Sequence, residues 1–97
     1  MKLQILNPVA QKVEPKRGTL APRLPKLDGK LIGLFWNLKP GGDAALRRTG
    51  ELLKAQYPGV ETRSYVGSIG GAIRHMTKDD VKRMALECSA VIGTTAD

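Results

Sequence analysis

Cysteine, histidine and aromatic residues are scarce in this chain. Its 97 residues include one cysteine, one histidine and four aromatic residues. A single cysteine excludes an internal disulfide framework and any all-cysteine metal site. No apolar run reaches the roughly 18 residues of a transmembrane helix, and residues 1–12 lack the apolar core of a signal peptide. We therefore expect one small cytoplasmic domain with no membrane association and no metal site.

The net charge of +7 is concentrated near the amino end. Residues 1–30 carry seven Lys/Arg and two Asp/Glu, whereas residues 31–97 carry nine and seven. A basic segment can bind nucleic acid through phosphate contacts, but only Tyr65 among the aromatic residues lies near a basic cluster. A base-stacking platform is therefore missing, and we do not expect nucleic-acid binding. The charge favours a solvated basic face, or an arm that docks on a second subunit.

Residues 1–28 are predicted to form an extended, proline-containing arm. Four prolines interrupt any long helix there: Pro8, Pro15, Pro22 and Pro25. Four small or branched apolar residues could pin the arm to the domain or to a partner: Leu20, Ala21, Leu24 and Leu27. The alternative is a disordered tail. A homo-oligomer formed through this arm is one expected assembly.

Three strands are predicted in the remaining residues, 29–97. Residues 31–36 form a continuous apolar run, which is typical of a strand covered on both faces. Residues 60–66 alternate in polarity, which indicates an edge strand, and residues 89–93 form a short third strand. With helices between them, right-handed crossovers make these strands parallel. The prediction is an α/β fold: a three-layer Rossmann- or flavodoxin-like half-domain with the order β-α-β-α-β.

Two helices separate the strands. The first is predicted over residues 44–57, with Asp43 as its N-cap and Gly50 allowing close packing on the sheet. The second follows Thr77, which is predicted to cap it. Its predicted core stripe recurs at helical spacing and comprises Val81, Met84, Ala85 and Cys88.

The loop over residues 37–43 is the best candidate for chemistry. It follows the predicted central strand, so Asn37 and Lys39 lie at the carboxyl edge of the sheet, where Lys39 and helix-start amides could hold an anionic group. The alternative is a plain strand-to-helix connection. His75 is interpreted as an exposed loop residue or a substrate contact. Cys88, at a helix C-terminus that disfavours a thiolate, is interpreted as a buried structural thiol.

Nucleotide-binding fingerprints are absent. Residues 37–43 contain no G-x-G-x-x-G, and the G-S-I-G-G of residues 67–71 follows the wrong strand and lacks the spacing. A phosphate-binding loop with G-K-S/T is also missing. The sequence therefore predicts no cofactor.

Four segments in order along the chain resemble one family. They are I-L-N-P at residues 5–8, T-L-A-P-R-L at 19–24, G-K-L-I-G-L-F-W-N-L-K-P-G-G-D at 29–43 and C-S-A-V-I-G-T-T-A-D at 88–97. This pattern is similar to the UGSC-motif family of (seleno)proteins, small α/β proteins named for a Cys-Gly-Ser-Cys or selenocysteine-Gly-Ser-Cys motif. In that family the motif directly follows a strand and a Gly-x-x-x-Asp loop, to which residues 93–97 correspond. The sequence stops before the motif, and we hypothesise a premature termination product or a UGA codon for selenocysteine that was read as a stop. The rival hypothesis is an artificial truncation or an unrelated short protein.

The resemblance implies the roles of particular residues. An active-site loop would comprise Gly93, Thr94, Thr95, Ala96 and Asp97. Substrate-binding residues across the sheet edge would be Asn37, Lys39, Pro40 and Asp43. Catalysis would belong to the redox pair of the motif, so no catalytic residue is predicted within these 97.

The expected function is that of an N-terminal fragment of a thiol- or selenol-dependent oxidoreductase-like protein, inactive alone. Its full-length substrate would be a small molecule or a thiol/disulfide compound. The alternative is a small basic α/β binding or assembly module without catalysis, and a third possibility is a flavodoxin-like nucleotide or flavin binder. An uncovered strand edge predicts self-association of the 97 residues.

Overall fold

The computed structural model describes residues 18–94, which contain three strands and two helices. The elements are β1 (Leu31–Trp36), α1 (Gly42–Gln56), β2 (Glu61–Val66), α2 (Lys78–Glu87) and β3 (Ala90–Thr94). All strand pairings are parallel, and the sheet order is β2-β1-β3. The predicted α/β class, the β-α-β-α-β order and the parallel sheet are therefore confirmed.

The central strand β1 is buried on both faces, as its apolar run predicts. Ile32 and Leu34 pack with Leu46 of α1 on one face. Phe35 points to the other face and packs with Tyr65 of β2 and Met84 of α2. Because successive strand residues face opposite sides, the two helices cover opposite faces of the sheet.

Helix α1 begins earlier than predicted, and Asp43 is not its cap. Gly41 is the N-cap, with a left-handed φ of 95°, so Asp43 lies within the first turn. Glycine adopts this φ without the steric cost that a β-carbon would add, while the Asp43 carboxylate still suits the positive end of the helix dipole. The close packing expected at Gly50 is present, since a β-carbon there would lie 3.2 Å from Leu34 Cδ1.

Helix α2 has the predicted cap but only part of the predicted core stripe. Thr77 Oγ1 accepts a hydrogen bond from the Asp80 amide at 3.1 Å, and the Asp80 carboxylate accepts one from the Thr77 amide at 2.9 Å. Met84 is buried, but Ala85 is exposed and Val81 is 51% exposed, so the stripe prediction is wrong there. Among residues 18–94 no strand or helix lies beyond the edge strand β3 to cover these side chains of α2.

Residues 18–30 contain neither helix nor strand. Of the apolar residues expected to pin this segment, Leu27 packs against the core, while Ala21 and Leu24 are exposed and Leu20 is 92% exposed. The part of the predicted arm before Gly18 lies outside the described residues. No helix among those described is both long enough and apolar enough to span a bilayer.

Candidate functional site

A groove of about 580 Å³ lies at the carboxyl edge of the sheet, between the ends of β1 and β3. It is lined by Phe35, Asn37, Arg74, His75, Met76, Gly93 and Thr94. The strand order reverses at β1, because α1 leads to one neighbouring strand and α2 to the other. In parallel α/β proteins the crevice outside the carboxyl ends of the strands at such a reversal is the usual ligand site.

The loop between β2 and α2 forms one wall of this groove. The Arg74 amide donates a hydrogen bond to the Asn37 carbonyl at 2.9 Å, which joins the loop to the end of β1. The His75 amide donates to the Ile69 carbonyl at 2.8 Å, so the loop folds back on itself. Gly67 permits this fold, since a β-carbon there would lie 2.2 Å from the His75 carbonyl oxygen.

A buried carboxylate fastens the same loop to α2. Asp80 is 6% exposed and accepts hydrogen bonds from the Ser68 amide at 3.0 Å and the Ser68 hydroxyl at 2.5 Å, besides its bond from Thr77. These bonds, that of the Ser68 hydroxyl foremost, hold the pKa of Asp80 well below its usual range. The ionised Asp80 therefore positions the loop and does not exchange protons near neutral pH.

The groove is cationic and incompletely hydrogen-bonded. Among residues 18–94 no Asp or Glu lines it, whereas Arg74 contributes a positive charge. Within residues 18–94 two buried side-chain nitrogen or oxygen atoms lack a hydrogen-bond partner, Arg74 Nε and Thr94 Oγ1. Arg74 lines this groove, whereas Thr94 Oγ1 lies on the opposite face of the sheet, beside Gly42 and Trp36. Buried polar atoms are nearly always paired, so the unpaired Arg74 Nε marks the groove as a site that a ligand would complete.

The predicted substrate-binding residues do not all meet. Asn37 lines the groove together with Gly93 and Thr94 of the predicted active-site loop. Lys39 contributes through its backbone, because its amide donates to Asn37 Oδ1 at 3.2 Å and its carbonyl accepts from Trp36 Nε1 at 2.7 Å. Its own side chain is not among the groove lining.

The other predicted residues lie elsewhere. Pro40 is exposed and away from the groove lining, and Asp43 borders a separate cleft of about 290 Å³ between α1 and β2, shared with Arg47 and Ser64. Of the active-site loop, Thr95, Ala96 and Asp97 lie outside the described residues. The turn that separates Asn37 from Pro40 has Leu38 in the left-handed region, with φ of 72°. For a non-glycine residue that conformation costs about 1–2 kcal/mol.

Arg74 is the residue that sequence reasoning missed. A signal for it exists, since it adjoins His75 in the connection that follows β2, whose carboxyl end lies at the same edge of the sheet. His75 is exposed, as one of its two interpretations required, and it also lines the groove. Chain order alone did not indicate that this loop crosses toward Asn37.

Cys88 lies apart from the groove, in a polar network beneath α2. Its thiol donates to the Tyr65 hydroxyl at 3.2 Å, which donates to Glu87 Oε2, and Arg63 also pairs with Glu87 at 3.1 Å. The bond with Cys88, followed by that with Glu87, raises the pKa of Tyr65 to about 12. Cys88 is half-buried rather than buried, and it packs beside Gly33 and Met84, as a structural thiol would.

Metal-binding geometry is absent from the described part of the chain, residues 18–94. No three His, Cys, Asp or Glu side chains are grouped there so that they could hold an ion.

Comparison with known proteins gives one match. The model of the UGSC family matches residues 4–97, which is nearly the whole chain. No curated protein and no solved structure matches.

Proposed function

The chain belongs to the UGSC family, and from this membership we propose that it supplies the substrate-binding half of a thiol- or selenol-dependent oxidoreductase site. One observation carries the proposal: Gly93 and Thr94 line the same groove as Asn37, Arg74 and His75. By the family resemblance, the Cys/Sec-Gly-Ser-Cys motif follows the loop that starts at Gly93. A motif in that position would be delivered to the groove by β3.

The proposed fold supports this placement. The order β2-β1-β3 with one helix on each face is the order of the first three strands of a flavodoxin-like sheet, whereas the classic Rossmann order places the third strand beside the second. In flavodoxin-like sheets the ligand binds at the point between the first and third strands. The groove occupies that point.

The proposed chemistry is thiol–disulfide exchange. In a protein that carries the family motif, the first thiolate or selenolate would lie at the start of a helix after β3, and the helix dipole would lower its pKa. It attacks a substrate disulfide, forms a mixed disulfide and releases one substrate thiolate. The second cysteine attacks the mixed bond and releases the other thiolate, so the motif loses two electrons and the substrate gains them. Arg74 and Asn37 hold the substrate during these steps, while Phe35 and Met76 exclude water.

A binding or assembly module without catalysis is the second candidate, and one observation favours it. Val81 of α2 is 51% exposed and Val91 of the edge strand is 41% exposed, with Ala85 exposed between them. An apolar cleft of about 220 Å³ lies among these residues, Met76 and Met84. Contiguous exposed apolar surface is typical of an interaction site.

The nucleotide sequence past codon 97, with the intact mass of the native protein, separates the two candidates. We expect a UGA or Cys codon followed in frame by Gly-Ser-Cys. The protein that contains this motif should reduce small disulfides with turnover, and a Cys→Ser change in the motif should abolish turnover. The 97-residue chain is the matched control and should be inactive. A different stop codon, with no Gly-Ser-Cys encoded downstream and a native mass of 10.5 kDa, would refute the redox proposal and favour the binding module.

A further inference from the structure

We infer that the groove binds a small organic anion, through a carboxylate or phosphate group that contacts Arg74 and through an apolar body that packs on Phe35 and Met76. Calling this ligand the substrate rests on the proposed function, but its binding can be measured without any redox chemistry. The observation that carries the inference is the unpartnered buried Nε of Arg74, on a groove that also presents the apolar side chains of Phe35 and Met76.

Arg74 is the anchor for the anion. Its backbone amide is fixed to the Asn37 carbonyl at 2.9 Å, so the side chain starts from a defined position at the end of β1. Arg74 is half-buried, and its Nε is shielded from solvent without an acceptor. A buried donor on a charged group is costly when unpaired. The planar guanidinium matches a carboxylate or phosphate with two parallel hydrogen bonds, which makes an oxyanion the acceptor that it lacks.

The surrounding charges favour the same ligand. No carboxylate is among the groove-lining residues of the described segment, 18–94. The carboxylate oxygens of the ionised Asp80 accept hydrogen bonds from Ser68 and Thr77, and Asp80 does not line the groove. An anion therefore meets no like charge among the described lining residues, whereas a cation would meet Arg74.

The apolar lining of the groove favours an organic anion over free phosphate as the ligand. Phe35 and Met76 lie in the same groove as Arg74. Its volume of about 580 Å³ is within the range of small-molecule sites. A ligand that buries an apolar body on these side chains gains the hydrophobic term as well as the ionic one, so benzoate and phenyl phosphate should bind more tightly than acetate and inorganic phosphate.

The test is an NMR titration of the ¹⁵N-labelled 97-residue chain at constant ionic strength. The probes are benzoate, phenyl phosphate, acetate and inorganic phosphate, with benzyl alcohol as the neutral and benzylamine as the cationic comparison. Amide shifts should centre on Asn37, His75 and Thr94. Arg74→Gln should weaken benzoate binding about 10-fold or more, the size of a lost charge-assisted hydrogen bond. Arg48→Gln is the matched control, since it removes one positive charge at an exposed pair on α1.

Each outcome decides the inference. Weaker benzoate binding by Arg74→Gln, with little change in Arg48→Gln, supports the inference. The tighter binder of benzoate and phenyl phosphate identifies the anionic group that the groove prefers. Equal weakening in both variants would mean a non-specific charge effect and overturn it, as would equal binding of benzyl alcohol and benzoate. If Arg74→Gln is unfolded by circular dichroism, the wild-type shifts decide, and shifts centred away from the groove overturn it. None of these results depends on a redox motif, so the redox proposal can fail separately.

Discussion

Gly67→Ala should damage both the stability of the protein and its groove. Gly67 is buried at the end of β2, where the loop that carries Arg74 and His75 turns back. An added β-carbon would lie 2.2 Å from the His75 carbonyl oxygen, 2.4 Å from its carbon and 2.8 Å from its nitrogen. All three are backbone atoms, so no side-chain rotation relieves the overlap.

The size of the effect follows from these distances. Carbon and oxygen atoms do not approach much closer than roughly 3 Å, so the His75 backbone must retreat by about 1 Å. Overpacking of this kind typically costs about 1–3 kcal/mol of unfolding free energy. For a domain of this size each kcal/mol lowers the melting temperature by about 4–8 °C. Because His75 adjoins Arg74, the same shift misplaces the guanidinium, and a 1 Å misplacement in a site can weaken its function by up to about 100-fold.

Gly71→Ala is the matched control in the same loop. No atom lies within 4 Å of a β-carbon built there, and its φ is not in the left-handed region. It should be neutral or stabilise by about 0.4–1 kcal/mol through the unfolded state. Urea and thermal unfolding of both variants, with the benzoate titration, measure the two effects. Equal unfolding midpoints and equal benzoate affinities for Gly67→Ala, Gly71→Ala and wild type would refute the reasoning.

Three further predictions concern the core and the titratable groups. Leu34→Ala, at a core side chain only 5% exposed, should cost about 2–5 kcal/mol of unfolding free energy, whereas Leu52→Ala, at a position 51% exposed, should change it by about 0.5 kcal/mol or less in urea denaturation. Tyr65 should ionise with a pKa of about 12, so the stability that its neutral form contributes is present below pH 10.0 and is lost as the pH rises toward 12. In an ultraviolet titration, Cys88→Ala should shift the pKa of Tyr65 back toward 10.0. An unchanged pKa would contradict the role of the thiol. Because folding lowers the pKa of Asp80, its ionised carboxylate stabilises the fold above pH 3.8, and this stabilisation is lost as the pH falls through the folded-state pKa. Asp80→Asn should therefore make the unfolding free energy, measured from pH 7 downward, less dependent on pH. An unchanged pH dependence would contradict this prediction.

On the exposed apolar surface of α2 and β3, the sequence pattern predicts more buried residues than the described structure buries. The helical spacing of Val81, Met84 and Ala85 predicts one core face, and only Met84 is buried. A periodic apolar pattern indicates which side chains favour burial, but they are buried only where another helix or strand packs against them. Since β3 is the edge strand, the stripe is covered only where α2 lies over Phe35 and Tyr65.

The candidate site was predictable in part. The position of Asn37 at the carboxyl edge follows from the apolar run of β1 and the direction of parallel strands. The contribution of Arg74 did not follow, because its place depends on one backbone hydrogen bond to Asn37 across 37 positions of sequence. The cap of α1 was also mispredicted, since a left-handed glycine at residue 41 replaces the side-chain cap expected from Asp43.

Local chemistry in the sequence determined the elements of this protein, and tertiary packing determined its site. The bounds of β1, the Thr77 cap and the close approach at Gly50 follow from apolar runs, side-chain hydrogen bonding and residue size, which act within a few residues. The placement of β3 beside β1, and of the loop after Gly67 across the end of that pair, comes from contacts between distant segments. Such contacts depend on which surfaces bury each other best in the whole fold, so only the tertiary structure brings Arg74, Asn37 and Thr94 to one groove.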